Sequence, residues 1–131
     1  MKLRKTFLLA ATLGLVPIAL AYGLVPVASM EFLFDMKINE PNGAHIFRAV
    51  MGLYLATASF WIIGVLKPSL RQSSILSLVV FMWGLALGRI LSVFVDGTPN
   101  ALLILYIVLE LAFGIVGLVL LNKRDIDEPF S

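Results

Sequence analysis

Three ionisable residues stand inside long apolar runs of this chain: Arg48, Arg89 and Glu110. A charge at the middle of a bilayer costs about 2.5–3.5 kcal/mol on insertion scales, so such a residue faces protein or a cavity and finds a partner. His45 and Asp96 sit at the boundaries of the same runs, and Ser92 and Tyr106 lie one helical turn from Arg89 and Glu110. A guanidinium meeting a carboxylate there can lock the register of two helices. It can also bind an anionic or carbonyl group, or leave Glu110 as a general acid or base.

The elements that must hold these residues follow from composition. Of 131 residues, 60% are hydrophobic and only 14% charged, with a mean hydropathy of +1.01. Soluble domains carry about 45–50% apolar and about 25% charged residues. The expectation is an all-α integral membrane protein of one domain. The chain has no cysteine, which excludes disulfides, thiolate catalysis and cysteine-ligated metal. No basic stripe with interleaved aromatics points to nucleic acid, and nothing implies a cofactor.

A basic start, Met1 to Lys5, precedes an apolar run over residues 6–30, long enough to cross a hydrocarbon core of about 30 Å. Pro17 and Pro26 are expected to kink it. The rival reading is a signal peptide cleaved after Ala19-Leu20-Ala21; retention is favoured. A polar loop covers 31–44 and ends on the turn signal Pro41-Asn42-Gly43. Further spans are expected over 45–66, 74–95 and 101–121, joined by Lys67–Ser73 and by the tight Asp96–Asn100 reversal, with a charged tail over 122–131.

Lys2, Arg4, Lys5, Lys67, Arg71, Lys123 and Arg124 flank one side of this arrangement and Lys37 the other. The positive-inside rule then places both termini in the cytoplasm. Short connections predict an up-down four-helix bundle, N-in and C-in. Gly52 and Ala56, Gly84 and Gly88, and Gly114 and Gly117 are expected to mark close helix contacts. At about 1.5 Å per residue, Arg89 lies roughly 10 Å and Glu110 roughly 13 Å below the outer boundary. An Arg89–Glu110 pair is therefore the first expectation.

Three stripes reinforce that grouping: Arg89, Ser92 and Asp96; Tyr106, Glu110, Gly114 and Gly117; and a looser one of His45, Arg48, Gly52 and Ser59. They are expected to converge on a polar pocket open to the outside, with Arg48 shallow enough to reach headgroups. The plainer reading of the Arg–Glu pair is purely structural. His45 lacks companions for a metal site and reads as a boundary or capping residue. Trp61 reads as an interface anchor, Trp83 as packing, and Tyr106 as a hydrogen-bond neighbour of the pair or an outer-belt tyrosine.

These residues carry a resemblance. Arg48-Ala49 with Gly52, then Gly84, Gly88-Arg89, Ser92, Asp96-Gly97 and Pro99, then Glu110 and Gly114, resemble a family of small bacterial four-helix membrane proteins. That family is catalogued as domain of unknown function four-three-four-five. The likeness spans nearly the whole chain and implies fold and topology but no activity. More distantly the architecture is similar to DoxX-like membrane proteins, which does not assign function.

The resulting functional expectation is a non-enzymatic accessory or binding protein of the bacterial inner membrane. Its outward pocket would take a lipid, a quinone or another small amphipathic molecule. One alternative is an enzyme on a lipid-soluble substrate with Glu110 as the candidate catalytic residue. Another is a structural subunit of a larger membrane complex, or a homo-oligomer. A channel is disfavoured because one cluster at one side supplies no through-route.

Overall fold

The computed structural model describes residues 2–123. Among these the chain forms five helices: α1 (Lys2–Gly23), α2 (Pro26–Phe34), α3 (Asn42–Leu66), α4 (Pro68–Asp96) and α5 (Ala101–Asn122). Four of them, α1, α3, α4 and α5, are long and apolar enough to cross a membrane. The protein is an all-helical, multi-pass membrane bundle. The charged tail beyond Lys123, including Arg124, lies outside the described residues.

The expected first span is divided in two. Pro17 is accommodated inside α1, whereas Pro26 begins α2, and Val25 before it adopts φ −134° and ψ 72°. Proline has no N–H to continue the ladder, and its ring pushes the preceding residue out of the helical region. The break strands carbonyls at the end of α1. Arg48 on α3 meets them, its Nη1 donating to Gly23 O at 3.0 Å and to Leu24 O at 3.3 Å.

Helix α2 then carries the chain through Phe34, four residues into the stretch expected to be loop, and ends on Asp35 in the left-handed region (φ 52°). Asp35 N–H and Met36 N–H close the last turn onto Glu31 O and Met30 O. This is a helix stop of the kind that leaves few carbonyls open.

Helix α3 turns into α4 across the single residue Lys67, because Pro68 fits the first position of a new helix. The carbonyls at the end of α3 are again satisfied from a neighbour. Arg71 donates from Nε to Gly64 O at 3.0 Å and from Nη2 to Val65 O at 2.9 Å. At the end of α5, Gln72 Nε2 donates to Leu121 O at 3.4 Å and its side-chain oxygen accepts from Arg4. Unsatisfied carbonyls have no water to turn to in hydrocarbon, so long polar side chains serve three helix ends. Arg4 and Arg71, expected only as flanking charges, are both buried.

The long helices pack in the order α1, α3, α4, α5, and no comparable backbone packing joins α1 to α5. Phe7 and Phe113 bridge those two helices, with ring centroids 5.5 Å apart. The core runs through Leu8, Ala11, Leu15, Ala58, Trp61, Ile75 and Leu78.

Two expectations about this core need correction. Trp61 is fully buried rather than an interface anchor: its Nε1 donates to Ser77 Oγ at 3.1 Å, and its ring meets Phe81 edge-on at 5.6 Å. The hairpin across Lys67 brings α4 over it. Of the small residues expected at close contacts, Gly114 and Gly117 are buried against Trp83 and Val79, whereas Gly52, Gly84 and Gly88 have nothing within 4 Å of an added Cβ, and Ala56 is exposed. The close approaches on α1 and α3 are made by Gly23 against Met51 and Gly64 against Ser74.

At the far end, Gly97 (φ 101°) makes the turn after α4, a conformation that suits glycine. Asn100 caps α5 by accepting from Leu103 N–H at 3.1 Å. The same side chain donates from Nδ2 to Leu33 O at 3.1 Å, tying this turn to α2. The turn is thereby fixed beside the site.

Candidate functional site

Arg89 and Glu110 form the pair expected from their depths. Arg89 Nε donates to both carboxylate oxygens at 3.0 Å. The side chains are 21% and 9% exposed, so the carboxylate is enclosed while part of the Arg89 side chain remains accessible. Gly114, one turn below Glu110, lets α5 lie against Trp83 of α4; an added Cβ would stand 2.9 Å from Trp83 Nε1. That approach brings the carboxylate within reach of Arg89.

The guanidinium sits over the Tyr106 ring, 5.4 Å from its centroid. At this separation the ring face attracts the cation. Tyr106 thus contributes its π face, and its own edge contact is with Phe34 of α2, at 6.5 Å.

Two residues absent from the sequence reading complete the cluster. The Tyr22 hydroxyl on α1 is close enough to Arg89 to interact with it. Tyr54 on α3 stands edge-on to Tyr22 at 5.8 Å and to Phe81 at 5.1 Å, and also senses Arg89 and Glu110. The chain has three tyrosines, one each on α1, α3 and α5. All three gather around one arginine. Their scarcity, one on each of three spans, was the available signal.

Beside the pair lies a cleft of about 100 Å³. Ala11, Gly14, Leu15 and Ile18 of α1 form one wall, and Tyr106, Leu109, Glu110 and Phe113 of α5 form the opposite one. Tyr54, Phe81, Met82, Leu85 and Arg89 make the floor between them. The cleft therefore occupies the seam where α1 and α5 are not packed together. Gly14 is exposed there, with nothing within 4 Å of an added Cβ. The lining is apolar apart from two tyrosines and the ion pair.

The other expected site residues are placed differently. Ser92 lines a smaller recess on another side of Arg89, with Pro99, Leu103 and Ile107. Its hydroxyl donates to Asp96 Oδ2 at 2.7 Å, so Asp96 is engaged one turn along α4 and does not line the cleft. Arg48 is held by the carbonyls at the α1–α2 break, and His45 is exposed at the start of α3; neither lines the cleft. The break after Gly23 accounts for the place of Arg48, because it frees the carbonyls to which Arg48 donates.

The family model described as "Domain of unknown function (DUF4345)" matches residues 3–121. The chain belongs to this family. The match takes in all four long helices, the Arg89–Glu110 pair and the three tyrosines. Neither a curated protein nor a solved structure matches the chain.

Proposed function

We propose that this DUF4345 protein binds a small amphipathic molecule from the membrane, with the polar end at Arg89 and the apolar body between α1 and α5. The observation that carries the reading is the state of Arg89. Its Nε is committed to Glu110, yet its side chain keeps 21% exposure beside an apolar cleft. A guanidinium has five N–H donors, more than Glu110 and the Tyr22 hydroxyl take up, and leaving the rest unmet in hydrocarbon is costly. A bound polar group meets that need. Glu110 then orients Arg89 and compensates its charge, and carries no proton in turnover.

We place the protein in a bacterial inner membrane with both termini cytoplasmic, so that the Arg89 end faces outward. The excess of lysine and arginine at the opposite end supports this orientation. The native chain has no cysteine, so single cysteines report cleanly. Thr98→Cys is expected to react with a membrane-impermeant maleimide on intact cells, and Ser69→Cys only after lysis.

Binding is tested by native mass spectrometry of the wild type against Gly14→Phe. The added ring fills open space in the cleft, so folding should be retained. A molecule carried by the wild type and lost from an equally stable Gly14→Phe is the expected result. Identical adducts on both proteins would overturn the assignment of the cleft.

A further inference from the structure

The chemistry of the cleft narrows what it can take. Its charged groups are one arginine and one glutamate, already paired at 3.0 Å, so their charges cancel. An entering carboxylate or phosphate would bring a negative charge beside the Glu110 carboxylate with no cation left to answer it. In a low-dielectric seam that like-charge term is large, and an unpaired charge at this depth is itself expensive. The pair thus opposes the anions that a lone arginine would attract.

Hydrogen-bond donors, by contrast, are in surplus. Only the Nε of Arg89 bonds to Glu110, and the Tyr22 hydroxyl, outside the cleft lining, can meet one terminal N–H, which leaves the others of the fork's five donors. The hydroxyls of Tyr54 and Tyr106, both in the lining, donate to no protein acceptor among the described residues. Donors without acceptors, in an apolar and electrically closed setting, complement an uncharged oxygen acceptor. Four aromatic side chains, Tyr54, Phe81, Tyr106 and Phe113, surround that point.

We infer that the ligand is an uncharged, lipid-soluble carbonyl compound, its carbonyl oxygen accepting from Arg89 and the cleft tyrosines, and that it enters sideways from the bilayer between α1 and α5. This rests on the binding reading above and names its ligand class. A conjugated ring ketone, such as the head of a quinone, and the ester carbonyl of a neutral glyceride present the same acceptor. The side entrance follows from the walls: Gly14 and Leu109, on the two sides of the seam, are both exposed on the outer face of membrane-spanning helices.

The test uses the full chain in zwitterionic-lipid nanodiscs, titrated with four probes and followed by tryptophan fluorescence and calorimetry. Decylbenzoquinone and dioctanoylglycerol are the uncharged carbonyl probes; decanoate and dodecyl phosphate are the anionic ones. At least one carbonyl probe is expected to bind tenfold or more tightly than both anions, and which of the two does so identifies the source. Gly14→Phe should abolish that binding at unchanged thermal stability. Tyr54→Phe and Tyr106→Phe, which keep the ring, should each weaken it about five- to tenfold, the worth of one hydrogen bond. Tighter, Gly14-sensitive binding of either anion would overturn the carbonyl inference and leave the binding function standing. Binding of no probe, or binding indifferent to Gly14→Phe, would overturn both.

Discussion

Gly117 of α5 faces Val79 of α4 so closely that a Cβ on the glycine would stand 2.6 Å from Val79 Cγ2, with Phe7 Cζ of α1 at 3.5 Å. Gly117→Val should therefore destabilise the bundle by about 1–3 kcal/mol through overpacking. Gly84→Ala, whose Cβ meets nothing within 4 Å, should be neutral or stabilising by up to about 1 kcal/mol, because alanine is the better helix former. Thermal unfolding in detergent, followed by circular dichroism, separates the two. Equal losses in both variants would show that α5 does not pack through its Gly117 face.

The Arg89–Glu110 pair should behave as a unit. Removing one partner alone, in Arg89→Leu or Glu110→Leu, should cost about 3–5 kcal/mol by stranding the other charge. The double variant Arg89→Leu/Glu110→Leu should recover much of that loss, as apolar replacements of buried pairs commonly do. A double-mutant cycle in one detergent reads this coupling directly. Additive losses would mean that the two residues are stabilised by different partners.

Arg48→Met removes the donor that serves Gly23 O and Leu24 O. The expected penalty is about 1–3 kcal/mol for the freed carbonyls. It should appear as faster amide exchange around Leu24 to Ser29, with α4 and α5 unaffected. Uniform loss of protection would instead make Arg48 a global determinant of the fold.

The burial of Trp61 is open to a spectroscopic check in a Trp83→Phe background. Its emission should resist quenching by both iodide and brominated lipid, because the bundle buries it completely. Trp61→Phe should then destabilise by about 1–3 kcal/mol, from the lost bond to Ser77 Oγ and the space left by the smaller ring. Strong quenching by interfacial bromine would return Trp61 to the membrane surface.

How far these features could be read from the chain depends on what kind of signal each leaves. Arg89 and Glu110 were legible because a charge in an apolar run is conspicuous, and rise per residue gave their depths. Tyr22 and Tyr54 were not, since an aromatic in such a run reads equally well as belt or packing. Only the adjacency of α1 to α3 brings them together. Gly84-x-x-x-Gly88 and Gly114-x-x-Gly117 look alike as spacings, yet the first faces outward and the second touches α4. Small residues license close approach without saying where it occurs. Arg48 was misplaced for a related reason: its acceptors exist only because Pro26 breaks the helix twenty-odd residues earlier.

The four long helices form a row more than a ring, with α1 and α5 as its free margins. Beyond the Phe7–Phe113 bridge, the cleft beside Arg89 opens at that margin, toward the surrounding acyl chains. Hydrocarbon thereby becomes a building material of the site, much as a neighbouring subunit would be. Chain length and unsaturation then act on this protein as mutations would, altering the packing around an ion pair without changing a residue. Its conformation belongs jointly to the sequence and to the bilayer in which it is dissolved.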